Sequence, residues 1–291
     1  VDKPTQRKSM VARTVIGIIM TAALSGVLWL DWHLEQTSQA ITALPLTFVI
    51  VVLSLVAFDE MIKLLAAKGL EVLWVSGCLG VVALIALPIW WPLIGIQTDG
   101  PEGSGLLVLF GLLLLVIFLD QMNQQAIDTA LLRISATALT ILYLGVGGAL
   151  ILAIRLTHHM PLFLLFVGAV KVTDIGAYFV GSAIGKHRLV GRLSPQKSWE
   201  GLIGGLVCGT LVCLGGAWAL SIAWPVWKVV VFAVAMGLAG QFADLCESLL
   251  KRSAQVKDSG RVLPQFGGVL DMLDSLLLAA PVAMILLAVL D

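Results

Sequence analysis

Apolar residues run along this chain in blocks of helix length, not in the alternation of a half-buried strand. Blocks near 14–30, 41–58, 71–91, 105–120, 134–154, 161–182, 201–222, 227–248 and 269–290 each approach the roughly 20 apolar residues a helix needs to cross a bilayer. Inside hydrocarbon the backbone must satisfy its own hydrogen bonds, and a helix does so within one segment. The pattern therefore predicts an all-α fold, a polytopic transmembrane helix bundle of about nine spans. The first block continues through Trp29 and Leu30, and so reads as a first span instead of a signal peptide with a small-residue cleavage site. No period of 20–50 residues recurs, which argues against a repeat array.

The polar positions between the blocks give a direction. Lys3, Arg7, Lys8, Arg13, Lys63, Lys68, Arg133, Lys186, Arg188, Arg192, Lys197, Lys251, Arg252, Lys257 and Arg261 fall in one alternate set of loops. The other set holds Arg155 and Lys228, and Lys171 lies inside a span. The positive-inside rule then places the N-terminus and the basic loops in the cytoplasm and the C-terminus outside. Trp29, Trp32, Trp90, Trp91, Trp224 and Trp227 cluster at the opposite, outer span ends, where amphipathic indoles sit well.

Composition agrees with this division. Hydrophobic residues make up 59% of the chain and charged residues 12%, with a mean hydropathy of +1.01, against roughly 25% charged residues in a soluble domain. A formal net charge of zero offers no electrostatic attraction for nucleic acid. Cys78, Cys208, Cys213 and Cys246 lie in or beside apolar runs without CxxC spacing, and read as packing residues. Gly201, Gly205 and Gly209 recur every four residues, a stripe that admits close helix approach.

Chemistry concentrates in the C-terminal half. Asp59, Glu60 and Lys63 read as interfacial side chains, and His33, His158 and His159 as solvated outer-loop residues; His187 sits in a basic inner loop. Lys171 and Asp174 are three residues apart on one helical face, and an ion pair would hold both at depth. After them come glycines alternating with basic residues, then Ser194, Lys197, Ser198 and Glu200, a combination suited to phosphate. Asp244, Glu247, Ser248 and Lys251 share another helix face, followed by Arg252, Lys257, Asp258, Arg261, Gly267, Gly268, Asp271 and Asp274. Carboxylates converging from different helices are best stabilised by a divalent cation, and oxygen ligands point to magnesium, as one ion or two. With Lys and Arg for phosphate, these are the parts for phosphoryl or nucleotidyl transfer at a cytoplasmic interface. No GxxxxGK[ST] is present, so a P-loop is not expected.

The run from Ser248 to Asp274, SLLKRSAQVKDSGRVLPQFGGVLDMLD, resembles the signature of the CDP-diacylglycerol synthase (phosphatidate cytidylyltransferase) family. That signature reads S-x-L-K-R, four residues, K-D-x-G, then P-x-H-G-G-x-x-D-R-x-D, and Ser248, Lys251, Arg252, Lys257, Asp258, Gly260, Pro264, Gly267, Gly268, Asp271 and Asp274 match it. The stretches around Asp174 and SPQKSWEG, and Asp244 with Glu247-Ser248, also resemble that family. Phe266 stands where the family has histidine, Met272 where it has arginine, and Ala243 where it has glycine.

The resemblance implies the reaction of CTP with phosphatidate to CDP-diacylglycerol and pyrophosphate, within phospholipid biosynthesis. Asp244 and Asp271 would coordinate magnesium, with Asp274, Asp258 and Asp174 in support; Lys197, Lys251 and Asp258 would join the two aspartates as catalytic groups. Ser194, Lys197, Ser198, Ser248, Lys251, Arg252, Lys257, Arg261, Gly267 and Gly268 would bind the substrates. Residues 1–160 would form a scaffold with lipid access and 161–291 the metal and nucleotide site, in a bacterial inner membrane, with a homodimer forming through glycine-lined faces. The alternatives are a related CTP-dependent lipid enzyme (CDP-archaeol synthase-like or prenol kinase-like), a secondary transporter, or a silent scaffold.

Overall fold

Every one of the nine apolar blocks falls largely within a helix of the computed structural model, which describes residues 3–37, 43–94, 104–191, 193–256, 259–260 and 267–290. In chain order these are α1 (Lys3–Thr37), α2 (Leu44–Ala66), α3 (Trp74–Ile94), α4 (Ser104–Gln124), α5 (Ala130–Thr140) and a π-helical segment (Ile141–Val146) that runs on into α6 (Gly147–Ile184). A hairpin of β1 (Arg188–Val190) and β2 (Ser194–Ser198) follows, then α7 (Trp199–Ala219), α8 (Val226–Ser253) and α9 (Leu270–Leu290). The stretch from α5 through α6, together with α7, α8 and α9, is long and apolar enough to cross a membrane by length and composition. The apolar parts of α3 and α4, Trp74–Trp90 and Val108–Gln124, are shorter. The chain is an integral membrane protein built of helices.

The 55 residues from Ala130 to Ile184 would reach about 80 Å as one straight helix, far beyond a bilayer core of ~30 Å. They do not form one. The backbone breaks at His159, where φ is 58°, a left-handed conformation costly for a residue with a Cβ. Pro161 follows and can give no hydrogen bond to the preceding turn. The break separates the blocks 134–154 and 161–182, as their sequence implies.

The hairpin departs from the all-α expectation. Leu189 and Val190 favour extended backbone and Gly191 allows the reversal. Chain outside a helix must still pair its polar groups. Here Arg188 pairs antiparallel with Ser198 and Val190 with Ser194.

α6 is the hub of the bundle, packed against α2, α3, α7, α8 and α9. Its contact with α7 uses the predicted glycine stripe. A Cβ at Gly205 would stand 2.5 Å from the Thr173 carbonyl oxygen and 2.8 Å from the Ala177 Cβ. Gly201 meets Ala177 and Gly181 in the same way. Lipid tails are as apolar as leucine, so helices associate here through close packing. Because the stripe faces α6, it is not available to a second copy of the chain.

At the end of the bundle where α1 finishes, a charged group is fully enclosed. Arg155, 1% exposed, donates to Asp31 at 2.7 Å and to Glu35 at 3.0 Å. His159 Nδ1 lies 2.6 Å from the other Glu35 oxygen. Arg155 is therefore not a loop residue, and His159 is not merely solvated: burying a guanidinium this deep is costly unless carboxylates stand beside it. Lys228, on the first turn of α8, donates to the carbonyl of Leu290 at the end of α9.

Gly205→Val should wedge α6 from α7, an overpacking cost of about 1–3 kcal/mol. It should lower the melting temperature of the detergent-solubilised protein, whereas Gly215→Ala, with nothing within 4 Å of its Cβ position, should not.

Candidate functional site

α9 begins where the chain returns from a loop, so its first backbone N–H groups lack helical partners. Glu60, near the end of α2, supplies them. Its Oε1 accepts from Val269 N at 3.1 Å and its Oε2 from Leu270 N at 2.8 Å, with the Ser259 hydroxyl at 3.3 Å. This carboxylate is completely buried. It is not the interfacial side chain expected from its position at a span end, and it was the site residue that sequence reasoning missed. The available signal was that apolar residues resume after it, Met61, Ile62, Leu64 and Leu65, although it lies just beyond the block 41–58. The glycines of the loop answer to it. A Cβ at Gly260 would run into the Glu60 carboxylate, and one at Gly268 would strike Ser259 Oγ and Glu60. Gly267 takes φ +96°, where a side chain is strained.

Asp271, in the first turn of α9, completes the turn from the other side. Gly268 N donates to its Oδ2 at 3.0 Å, Ser259 N to its Oδ1 at 3.4 Å, and Lys251 Nζ to Oδ1 at 3.1 Å. Lys251, one turn after Glu247 on α8, also stands 2.5 Å from Glu247 Oε2. Apart from that ion pair, neither oxygen of the buried Glu247 has a hydrogen-bond partner among the described residues. Such a group calls for a ligand of another kind.

Its neighbours show which kind. Asp244 and Glu247 on α8 and Asp274 on α9 each offer an oxygen within 4.8 Å of the others, and Glu247 and Asp274 are buried. Three carboxylates so close, two of them enclosed, repel one another unless a cation or protons intervene. The donor set is all oxygen, which suits a hard divalent ion. Glu247, which was not among the metal ligands expected from the sequence, joins Asp244 and Asp274 in this group; Asp271 stands beside it, engaged by Lys251 and the loop backbone.

Asp244 also opens onto a cavity of ≈ 630 Å³ between α6, α7, α8 and the hairpin, within the ~300–1,000 Å³ common for small-molecule sites. Asp174, Ser194, Lys197, Ser198 and Arg188 line it. Lys197 Nζ lies 2.6 Å from Asp244 Oδ2 and donates to the Gln241 carbonyl at 3.1 Å. Gln241 in turn donates to Asp174 at 2.7 Å. The ion pair expected between Lys171 and Asp174 is absent. Lys171 reaches across to α9 instead, donating to Ser275 Oγ at 2.6 Å and to the Met272 carbonyl at 2.7 Å. The backbone at position 272 is therefore part of the site, although Met272 carries no charge.

The hairpin is anchored at both ends. Ser198 Oγ accepts from Gly201 N at 3.1 Å, capping α7. Glu200 accepts from the backbone N–H groups of Lys186 and His187 and lies 2.5 Å from His187 Nδ1. Arg252, exposed on α8, donates to the Leu193 carbonyl at 3.3 Å. Ser248 is half-buried between Glu247 and Lys251 on the same helix. Arg192, Lys257, Asp258, Arg261 and Phe266 lie outside the described residues.

A helical membrane protein with clustered carboxylates, engaged lysines and a polar cavity at one end of its bundle is the class these features define. More narrowly, the chain belongs to the cytidylyltransferase family, whose sequence profile matches residues 11–290. It is 32% identical over 236 residues to the phosphatidate cytidylyltransferase of Staphylococcus saprophyticus, covering 81% of this chain and 86% of that protein. The Bacillus subtilis phosphatidate cytidylyltransferase is 31% identical over 252 residues, 84% of this chain and 89% of its own. That of Staphylococcus aureus strain COL is 32% identical over 242 residues, covering 81% and 87%.

Glu60→Gln keeps the volume but turns a donor amide toward N–H groups that need an acceptor, at about 1–3 kcal/mol per buried group left unpaired. The expected result is faster protease cleavage between residues 255 and 270 in the folded protein, with Lys63→Gln, at the exposed end of α2, cleaved at the wild-type rate.

Proposed function

We propose that this chain is a CTP:phosphatidate cytidylyltransferase, forming CDP-diacylglycerol and pyrophosphate for phospholipid synthesis. The observation that carries the reading is the convergence of Asp244, Glu247 and Asp274, with Lys251 beside Glu247 and with Asp244 and Lys197 on the wall of the cavity, in a chain of this family. An oxygen of the phosphatidate phosphate attacks the α-phosphorus of CTP; the new O–P bond forms as the bond to the β-phosphate oxygen breaks, and pyrophosphate departs. The attacking phosphate is already anionic near neutral pH. No strong general base is required, and the phenylalanine at position 266 is then no obstacle.

The three carboxylates, with Asp271 adjacent and Asp174 in support through Gln241, are the residues that would hold magnesium, as one ion or two. When bound, magnesium supplies Lewis-acid polarisation of the phosphate oxygens. The remaining work falls to the protein. Lys197 and Lys251 neutralise phosphate charge, Lys197 from the cavity wall beside Asp244 and Lys251 from between Glu247 and Asp271. Ser194 and Ser198 offer hydroxyl or backbone groups along the cavity wall, and Arg252, Lys257, Arg261, Gly267 and Gly268 extend the phosphate-binding surface. Asp258 belongs to the same catalytic set.

The same reading covers the setting. We place the site on the cytoplasmic face of a bacterial inner membrane, with nine spans and the N-terminus inside, because the basic loops flank the site while Arg155 and Lys228 lie at the opposite end. CTP then arrives from the cytosol, and phosphatidate enters sideways between helices, the N-terminal spans acting as scaffold and lipid access. A homodimer in this arrangement would use faces other than the Gly201–Gly209 stripe.

Purified protein in detergent, given labelled CTP, phosphatidate and magnesium, should release pyrophosphate and form the liponucleotide. Asp244→Asn and Asp271→Asn should each lower the rate by roughly a hundredfold or more. No magnesium-dependent pyrophosphate release from the wild-type protein would refute the reading, and a liponucleotide formed only from another lipid phosphate would reassign the acceptor.

A further inference from the structure

The π-helical segment between α5 and α6 is a second irregularity in that long stretch besides the break at His159, and π turns concentrate at functional sites. Three glycines at and just after it are pressed between neighbours. A Cβ at Gly145 would stand 2.9 Å from Leu84 Cδ1 and one at Gly148 2.8 Å from Ile85 Cγ1, both on α3. One at Gly147 would stand 2.8 Å from Leu277 Cδ2 on α9.

That last contact sets the height of the turn in the bundle. α9 starts at the loop held by Glu60, at the end where α2 finishes. α5 starts at the same end, because Arg133 pairs with Glu71 and the Thr137 hydroxyl accepts from Leu73 N, both in the chain leading from α2 to α3. α9 and the π segment therefore run in the same direction. If Gly147 is level with Leu277, then Tyr143, about one turn earlier, is level with Asp274, about one turn before Leu277.

The Tyr143 hydroxyl is buried and has no hydrogen-bond partner among the described residues. The π segment packs against α9, the helix that carries Asp274. A buried tyrosine ordinarily finds a partner for its O–H group. Phenylalanine would fill the same space without an unpaired hydroxyl, so packing alone does not account for the oxygen at this height.

We infer that Tyr143 is a positioning residue of the carboxylate cluster, its hydroxyl donating to the hydration shell of the cation held by Asp244, Glu247 and Asp274. This rests on the magnesium reading above and deepens it. A hydroxyl is suited to the place: it can donate to a coordinated water or carboxylate without adding charge to a group whose charge balance already depends on the cation. The π turn supplies the register, since one extra residue in the turn rotates Tyr143 relative to a regular helix and lets the three glycines close on α3 and α9.

The test is a magnesium titration of thermal stability on EDTA-stripped wild-type protein and on Tyr143→Phe, with pyrophosphate release followed in parallel. In EDTA the variant should melt at or above the wild-type temperature, because it loses only an unpaired hydroxyl. Its magnesium midpoint, in both melting and turnover, should rise by roughly tenfold, the lower end of what outer-shell partners contribute to metal sites. Superimposable titrations, or a lower melting temperature in EDTA with an unmoved magnesium midpoint, would overturn the role of Tyr143 while leaving the enzyme reading intact. A wild-type protein that magnesium neither stabilises nor activates would overturn both.

Discussion

The Glu60 carboxylate is the interaction on which the site depends. A helix that begins inside a membrane protein leaves backbone N–H groups facing a medium that cannot solvate them. Glu60 accepts from two of these at the start of α9, and from the Ser259 hydroxyl in the loop before it. The negative charge also lies at the positive end of the α9 dipole. Once α9 is docked in this way, the position of Asp274 relative to α8 follows, and so does the gathering of Asp244, Glu247 and Asp274. The loop glycines are small because a carboxylate occupies the space a side chain would take.

Charge is managed differently at the two ends of the bundle. Near the end of α1, Arg155 is matched by Asp31 and Glu35 with His159 beside them, a closed group that ties α1 to the break in α6. At the site, Lys251 is shared between Glu247 and Asp271, and Lys197 is engaged by Asp244. Among the described residues these two lysines face three clustered acids and Asp271, and Asp244 borders an open cavity. The first arrangement is suited to fastening helices and the second to receiving a cation and phosphates.

Much of this was legible in the residues. The apolar blocks marked the helices because membrane spans must be continuous and apolar. The small-residue spacing at Gly201, Gly205 and Gly209 marked a close helix contact because only small side chains permit it. Asp244 with Glu247, and Asp271 with Asp274, could be read as neighbours within their own helices, since three- and four-residue spacing defines a face. Lys171 and Asp174 share a face by the same rule, yet Lys171 turns to Ser275 and the Met272 carbonyl. A long, flexible side chain takes its partner from whichever helix packs against it, and periodicity carries no information about that helix.

Local pattern thus determined the helices, the membrane setting, the basic end and the residue types of the site, because each depends on covalent neighbours and on the solvent a segment can tolerate. Packing decided the rest. It brought Glu60 from the N-terminal helices to a site whose visible chemistry lies after residue 170, enclosed Arg155 with α1, and gathered Glu247 with Asp244 and Asp274. Those relations join residues as far apart as Glu60 and Leu270, and they exist only once helices that are distant in the chain have been docked against one another.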